Sequence, residues 1–271
     1  MTRSSHETAL QRLTTAGVVI RKENIVEETA VDLCALDNHQ ELYSFATLLA
    51  TPTDLAELLA GHIVSEGYIS KNVDRDMFVI KTEEYDVVEY HGQLDEQVQP
   101  RVVTTSCGAC NHPDLLVETI AERTNVSKFA NTELDFIYDS LAHLTASMTL
   151  FQTTGGSHGS GLILGDTTLS FVSEDIGRHN AVDKTIGKAI FSGLTEFDET
   201  MLLLSGRCGW DIVAKAARTG IAAIASFGAF SSAAIQLARE HNITLFGFVR
   251  SDGAWKVGHS AELSTSIDES N

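Results

Sequence analysis

The chain has 271 residues, 43% apolar and 21% charged, with 20 glycines and 3 prolines. That balance buries a substantial core and excludes a disordered or proline-rich linker protein. Acidic residues outnumber basic ones 37 to 19, a formal charge of −18, so duplex nucleic acid and anionic membrane are repelled at long range. Residues 1–177 carry 10 basic and 27 acidic side chains, whereas residues 178–271 carry 9 and 10, which directs a small anionic ligand to the C-terminal third. No apolar run reaches the ~18 residues of a membrane span, and the first residues lack an apolar signal stretch. A cytoplasmic protein with neither nucleic-acid nor membrane partners is expected.

Taken in chain order, a polar tail precedes GVVIRKENIVEETAVDLCAL, whose alternation predicts a hairpin turning around Lys22 to Asn24. ELYSFATLLAT predicts another strand. A helix follows, with Thr51 as cap, Pro52 in the first turn, and Leu55, Leu58, Leu59 and Ile63 as one apolar stripe ending near Gly67. Two further strand segments lie between residues 76 and 105. SCGACNHPDLLVETIAER begins in a loop and enters a helix at Asn111 and Pro113, which sets Cys107 and Cys110 just before a helix N-terminus.

A helix is predicted over Glu133 to Thr145, then a strand through TLFQTTGG, a loop GSHGSG, and the strand pair LILGD and TLSFVSED. Asn180 is the expected cap of a helix AVDKTIGKAIF. Beyond residue 200, strand MLLLS, helix DIVAKAARTG, strand IAAIAS, helix SSAAIQLAREHN and strand ITLFGFVR alternate. Strands that are apolar throughout, alternating with helices, indicate a parallel sheet covered on both faces. The expected organisation is a smaller N-terminal α+β part over residues 1–132 and an α/β part over 133–271.

Three groups of residues carry candidate chemistry. In Cys107-Gly108-Ala109-Cys110 two thiols are separated by two small residues, and the N–H groups of a following helix favour a thiolate. A reactive thiol is the favoured reading. A zinc site would need supplements such as His112 and Cys208, with no second C-x-x-C in the chain, and a buried inert pair is the structural alternative. Cys34, in an alternating strand, and Cys208 read as structural. The second group is the string EDIGRHNAVDK at 174–184, where Arg178 and His179 precede a helix; cations plus helix N–H groups make an anion site, and a surface ion network is the equal alternative.

The third group sits at strand ends: Ser205, Gly206 and Arg207, then Ser226 to Gly228, then Phe248, Val249, Arg250, Ser251, Asp252 and Gly253. Ligands of open parallel sheets bind at that carboxyl edge, and two of these ends carry an arginine suited to phosphate. Thr154 to His158 could add backbone donors.

Taken together, TTSCGAC at 104–110, TGGSH at 154–158, EDIGRHNAVDKTIG at 174–187, SGR at 205–207, KAARTGI at 215–221 and LFGFVR at 245–250 resemble the FdhD family, the formate dehydrogenase accessory sulfurtransferases. The resemblance runs from about residue 17 to about residue 258. It implies a cytidine-deaminase-like mixed sheet with flanking helices in the C-terminal part, in a cytoplasmic homodimer. It also implies an activity: sulfur is taken as a persulfide from a cysteine desulfurase and passed to the bis-molybdopterin guanine dinucleotide form of the molybdenum cofactor, as formate dehydrogenase requires. Cys107 and Cys110 take the places of the family's two cysteines, Phe248 to Gly253 that of its cofactor-binding stretch, and GDP is the natural surrogate ligand. No permanently bound metal is implied. The H-x-E and P-C-x-x-C pattern of zinc deaminases is missing, so deamination is rejected. A dithiol-disulfide oxidoreductase and a non-catalytic cofactor-binding chaperone are the alternatives from other classes.

Overall fold

The computed structural model describes residues 4–70, 73–82, 85–96, 98–103, 128–165 and 168–258. It opens with β1 (Ser5–Thr14) and β2 (Gly17–Val26), a two-stranded antiparallel arm. The expected polar tail is therefore a strand. The turn falls at residues 15–16 rather than around Lys22 to Asn24, because Gly17 supplies a φ of +128° that no residue of Lys22 to Asn24 offers. Thr14 Oγ1 accepts from Ala16 N–H and donates to the Gly17 carbonyl, closing the turn.

A five-stranded sheet follows, built from β3 (Thr29–Leu36), β4 (Leu42–Ala50), β5 (Phe78–Thr82), β6 (Asp86–Gln93) and β7 (Arg101–Val103) in the order β5-β6-β3-β4-β7. Val31, Leu33, Ala35, Val88 and Tyr90 bury one face in a cluster shared with α1 (Leu55–Ser65), whose predicted stripe of Leu55, Leu58, Leu59 and Ile63 is buried. Thr51 does not cap α1. Asp54, in the left-handed region at φ 51°, holds the N-cap position and its carboxylate pairs with Lys188 at 2.8 Å. Thr51 is drawn off because its N–H donates to Asp175 Oδ2 at 3.0 Å and its Oγ1 accepts from Ile176 N–H at 3.1 Å.

Beyond residue 127, α2 (Leu134–Ser147) matches its prediction, but residues 149–154 form a helix, α3 (Thr149–Thr154), where a strand was expected. The reason is tertiary: the Glu174 carboxylate accepts from Leu150 and Phe151 N–H at 2.9 and 2.8 Å and fixes the first turn. The expected GSHGSG loop is largely strand as well, since β8 (His158–Leu164) starts at His158. Its glycines serve packing: a Cβ on Gly159 would lie 2.5 Å from Met148 Sδ, and one on Gly161 2.6 Å from Leu169 Cδ1.

With β9 (Leu169–Asp175), β10 (Thr200–Leu204), β11 (Ala223–Ser226), β12 (Thr244–Arg250) and β13 (Gly253–Val257), β8 forms a six-stranded mixed sheet in the order β13-β12-β11-β10-β8-β9. β10, β11 and β12 run parallel, while β8, β9 and β13 pair antiparallel to their neighbours. Strand β13 was not anticipated. Leu202 and Leu204 point to a cluster with α4 (Arg178–Phe191), α5 (Trp210–Thr219) and α6 (Ser232–Glu240), and Met201 and Leu203 to one with α2. Alternation along strands buried on both sides requires an apolar residue at every position.

The two sheets are joined by α1 crossing α4 backbone to backbone. A Cβ on Gly61 would fall 1.8 Å from the Asp183 carbonyl oxygen, and one on Gly187 2.0 Å from that of Glu57, so neither helix tolerates a side chain there. A buried polar network surrounds the crossing. Asp183 accepts from Ser65 Oγ at 2.7 Å, pairs with Lys215 Nζ at 2.8 Å and meets His62 Nδ1 at 3.0 Å, while Lys215 also reaches Glu66 at 2.5 Å. A second pair, Asp175 and Lys184, sits fully buried at 2.6 Å.

Candidate functional site

The C-terminal ends of β10, β11 and β12 converge as the parallel-sheet reading expects. Ser226 Oγ donates to the Gly206 carbonyl, Gly228 N–H donates to Ser226 Oγ at 2.9 Å, and Phe248 N–H donates to the Gly228 carbonyl at 3.0 Å. Arg250 Nη1 donates to the carbonyls of Phe227 at 3.0 Å and Val249 at 2.7 Å, tying the third loop to the second. The loops are too close for side chains, since a Cβ on Gly228 would lie 2.7 Å from the Gly206 oxygen. Ser205 Oγ accepts from Gly159 N–H at 2.8 Å, so β8 joins the same edge.

Arg207 and Arg250 are exposed there, as are Ser251 and Asp252, with Gly253 half-buried and Val249 buried. Phe248 is 45% exposed at a φ of +52°. A non-glycine residue in the left-handed region costs on the order of 1 kcal/mol or more, a strain that gathers at ligand sites. Its ring meets Phe230 edge to face at 6.3 Å, and Phe230 in turn lies over Gly247, where a Cβ would be 2.4 Å from the ring.

The 174–184 string divides between two roles. Asp175, Asp183 and Lys184 are buried, so they form no surface network; they hold α4 to the first sheet. Asn180 is not the cap of α4. Gly177 holds that position and donates its N–H to Asp175 Oδ1 at 2.7 Å, while Asn180 Nδ2 donates to the Leu49 carbonyl at 2.8 Å and to Asp175. Arg178 and His179 do face the edge, where both meet Asp211: His179 Nε2 hydrogen-bonds its carboxylate and Arg178 Nη2 stands 3.8 Å away.

The fields at this edge agree with the geometry. Burial lowers the His158 pKa, and Arg178, Arg207 and His179 lower it further, so both arginines lie close to His158 at this edge. Burial would raise Asp211, yet His179, the Ile212 N–H and Arg178 hold it below the usual carboxylate range. Asp211 escaped sequence reasoning because nothing in GWDIVAK sets it apart. Phe230 stands where the family usually has the proline of a Pro-Thr pair; the structure sets its ring over Gly247.

Neither structural cysteine has thiolate character. Burial, with Asp32 and Glu89 adding, pushes the Cys34 thiol up to about 12, and burial pushes Cys208 higher. Cys107, Cys110, Asn111, His112 and the helix expected after them lie outside the described residues.

Comparison with known proteins places this architecture. The Sulfur carrier protein FdhD of Picrophilus torridus is 32% identical over 231 residues, covering 84% of this chain and 87% of that protein. Its counterpart from Nocardia farcinica is 32% identical over 251 residues, covering 89% and 88%. The crystal structure of a protein from Desulfotalea psychrophila, described as a formate dehydrogenase accessory protein, matches with a TM-score of 0.74 across 95% of this chain and 98% of that one. At 23% identity this last likeness speaks for the fold. The family model of FdhD/NarQ matches residues 26–261, and with it the chain belongs to the FdhD/NarQ family.

Proposed function

We propose that this protein is a sulfur carrier serving formate dehydrogenase in the cytoplasm, working as a homodimer. Cys107 receives sulfane sulfur from the persulfide of a cysteine desulfurase. Its thiolate attacks the outer sulfur of the donor persulfide; a new S–S bond forms on Cys107, the donor's S–S bond breaks, and the donor cysteine leaves as a thiolate. Cys110 supplies the electron pair for the onward transfer: its thiolate attacks Cys107 Sγ, a Cys107–Cys110 disulfide forms, the S–S bond to the outer sulfur breaks, and that sulfur leaves at the sulfide level to a bis-molybdopterin guanine dinucleotide cofactor held as substrate.

The observation that carries this reading is the edge formed by Ser205 to Arg207, Ser226 to Gly228 and Phe248 to Gly253, in a chain whose relatives are named sulfur carrier proteins. A guanine dinucleotide presents phosphates and flat bases. Arg207 is exposed for the former, and Phe248 offers an aromatic face to the latter. In a protein of charge −18, attraction for a nucleotide comes from such short-range donors. Arg178 extends the cationic rim, His179 lies beside it on the same helix turn, and Arg250 keeps the binding loops in register.

Intact-mass measurement after incubation with a cysteine desulfurase and cysteine tests the sulfur step. The wild type gains one sulfur atom and Cys107→Ala does not; full loading of the variant refutes the assignment. Calorimetric titration of GDP tests the edge: Arg207→Ala weakens binding by about 10- to 100-fold, the worth of a charge-assisted hydrogen bond. Equal affinity for both proteins removes the site.

A further inference from the structure

Among the described residues from 152 onward, two large apolar side chains are exposed, Phe248 at 45% and Trp255 at 71%. Neighbouring exposed aromatic rings beside polar strand ends mark a binding surface. The site described above uses Phe248 and leaves Trp255, on the outermost strand β13, without a role.

The strand register places both on one face. Trp255 is the cross-strand partner of Gly247, so its side chain leaves the sheet on the side where a Gly247 Cβ would point. The Phe230 ring lies on that side, 2.4 Å from such a Cβ, and Leu245 and Val257 join the cluster with α5 and α6 there. Strict alternation would send Phe248 to the opposite side, where Phe246 and Ala254 meet the α2 cluster. A bulge prevents it. Pairing shifts between Gly247 and Arg250, so that Phe248 and Val249 together oppose Ala254. With φ at +52°, Phe248 turns back to meet Phe230 edge to face at 6.3 Å, and Val249 takes the place in the α2 cluster. A left-handed phenylalanine is strained, and the strain serves to bring a third ring to the face that holds Phe230 and Trp255.

This aromatic face borders the cationic loop. Phe230 is tied by a parallel bridge to Cys208, the residue after the exposed Arg207. Two exposed rings are too small an apolar patch to anchor a protein, whose interface takes about 20–30 residues a side, but they match the size of one planar base. A base joined through a sugar to phosphates presents its parts in the order found here, a flat face and then anionic oxygens.

We propose that Trp255 is a base-stacking residue, forming with Phe248 and Phe230 an aromatic wall against which the purine base of the nucleotide lies. Arg207 holds the phosphates, and Trp255 gives the site its preference for a flat base. This rests on the nucleotide-binding edge proposed above and adds the residue that recognises the base.

Titration of GDP into the full chain, by calorimetry and by fluorescence, tests it. Trp255→Ala weakens GDP binding about 5- to 100-fold, the worth of stacking one base on one aromatic side chain. Trp255→Phe keeps the affinity within about threefold of the wild type, whereas Trp255→Leu loses as much as alanine, because stacking needs a ring face. All three keep the wild-type circular dichroism and melting temperature, since the side chain is exposed. In Trp210→Phe, which leaves Trp255 as the one tryptophan, GDP quenches the emission. Full affinity in Trp255→Ala, rescue by leucine equal to that by phenylalanine, or unchanged emission at saturating GDP overturns the proposal. Arg207→Ala judges the edge separately. Weakened binding there with full affinity in Trp255→Ala keeps the edge and removes the aromatic wall; the reverse keeps the wall and removes the arginine; a wild type that binds no GDP removes both.

Discussion

Lys215→Met isolates the buried network that fastens the two sheets together. Lys215 is 3% exposed and stands 2.8 Å from Asp183, 2.5 Å from Glu66 and 2.9 Å from Ser65 Oγ. Methionine keeps most of the volume and removes the only cation within ion-pair distance of Asp183 among the described residues. Asp183 is then left buried without its cation, while Glu66 keeps Arg218 at 3.8 Å, and breaking a buried pair in this way costs about 3–5 kcal/mol, a large share of a total stability on the order of 5–15 kcal/mol.

The pH dependence follows from the same contacts. Burial would raise the Asp183 pKa, but Lys215 and the His62 hydrogen bond hold it below the usual value in the wild type. Its contribution is therefore present above the unfolded pKa of about 3.9 and is lost as pH falls through the lower folded value. Burial would lower Lys215, yet Asp183 and Glu66 hold it raised, so its contribution is present below its unfolded pKa and fades only as pH rises through the higher folded one. Without the cation, burial dominates and raises Asp183 above its unfolded value. The variant then regains stability by protonation as pH falls, and its deficit narrows toward acid. Urea unfolding of both proteins at pH about 7.5 and about 5, followed by tryptophan fluorescence, measures the deficit at each. A loss below about 1 kcal/mol at the higher pH, or an equal loss at both, refutes the argument.

Gly187→Ala drives a methyl into the Glu57 backbone, where the Cβ position lies 2.0 Å from a carbonyl oxygen; a loss of about 1–3 kcal/mol or more is expected in urea unfolding, and a neutral substitution would show that the helices part easily. Phe248→Gly relieves the left-handed strain at φ 52° and loses a half-exposed ring, so unfolding stability holds to within about 1 kcal/mol while GDP affinity falls; lost stability with retained affinity would reverse the assignment. Because burial raises both thiols, Cys34 and Cys208 resist iodoacetamide in the folded protein and react in urea, a difference peptide mass mapping reads directly; rapid labelling of either in the native state contradicts the burial.

Much of the architecture was legible because it is periodic. The α1 stripe and the alternation from β10 to β12 follow from where apolar residues fall within one element, and the strand ends with their arginines follow from that alternation. The cysteine motif and the EDIGRHNAVDK string were equally plain as sequence. The tertiary structure decided what could not be local. For Asp175 and Asp183 a surface ion network stood as an equal alternative until their partners arrived from 118 to 124 residues away, at Thr51 and Ser65, and Lys184 met Thr51 across 133 residues. Residues 149–154 turned from strand to helix because Glu174, more than 20 residues on, caps the first turn. Thr51 and Asn180 lost their capping roles to the same long-range bonds. A helix stripe or an apolar strand is set by neighbours a few residues apart, so the chain alone determines it; the role of a buried charge is set by which distant group neutralises it, and only folding brings that group within reach.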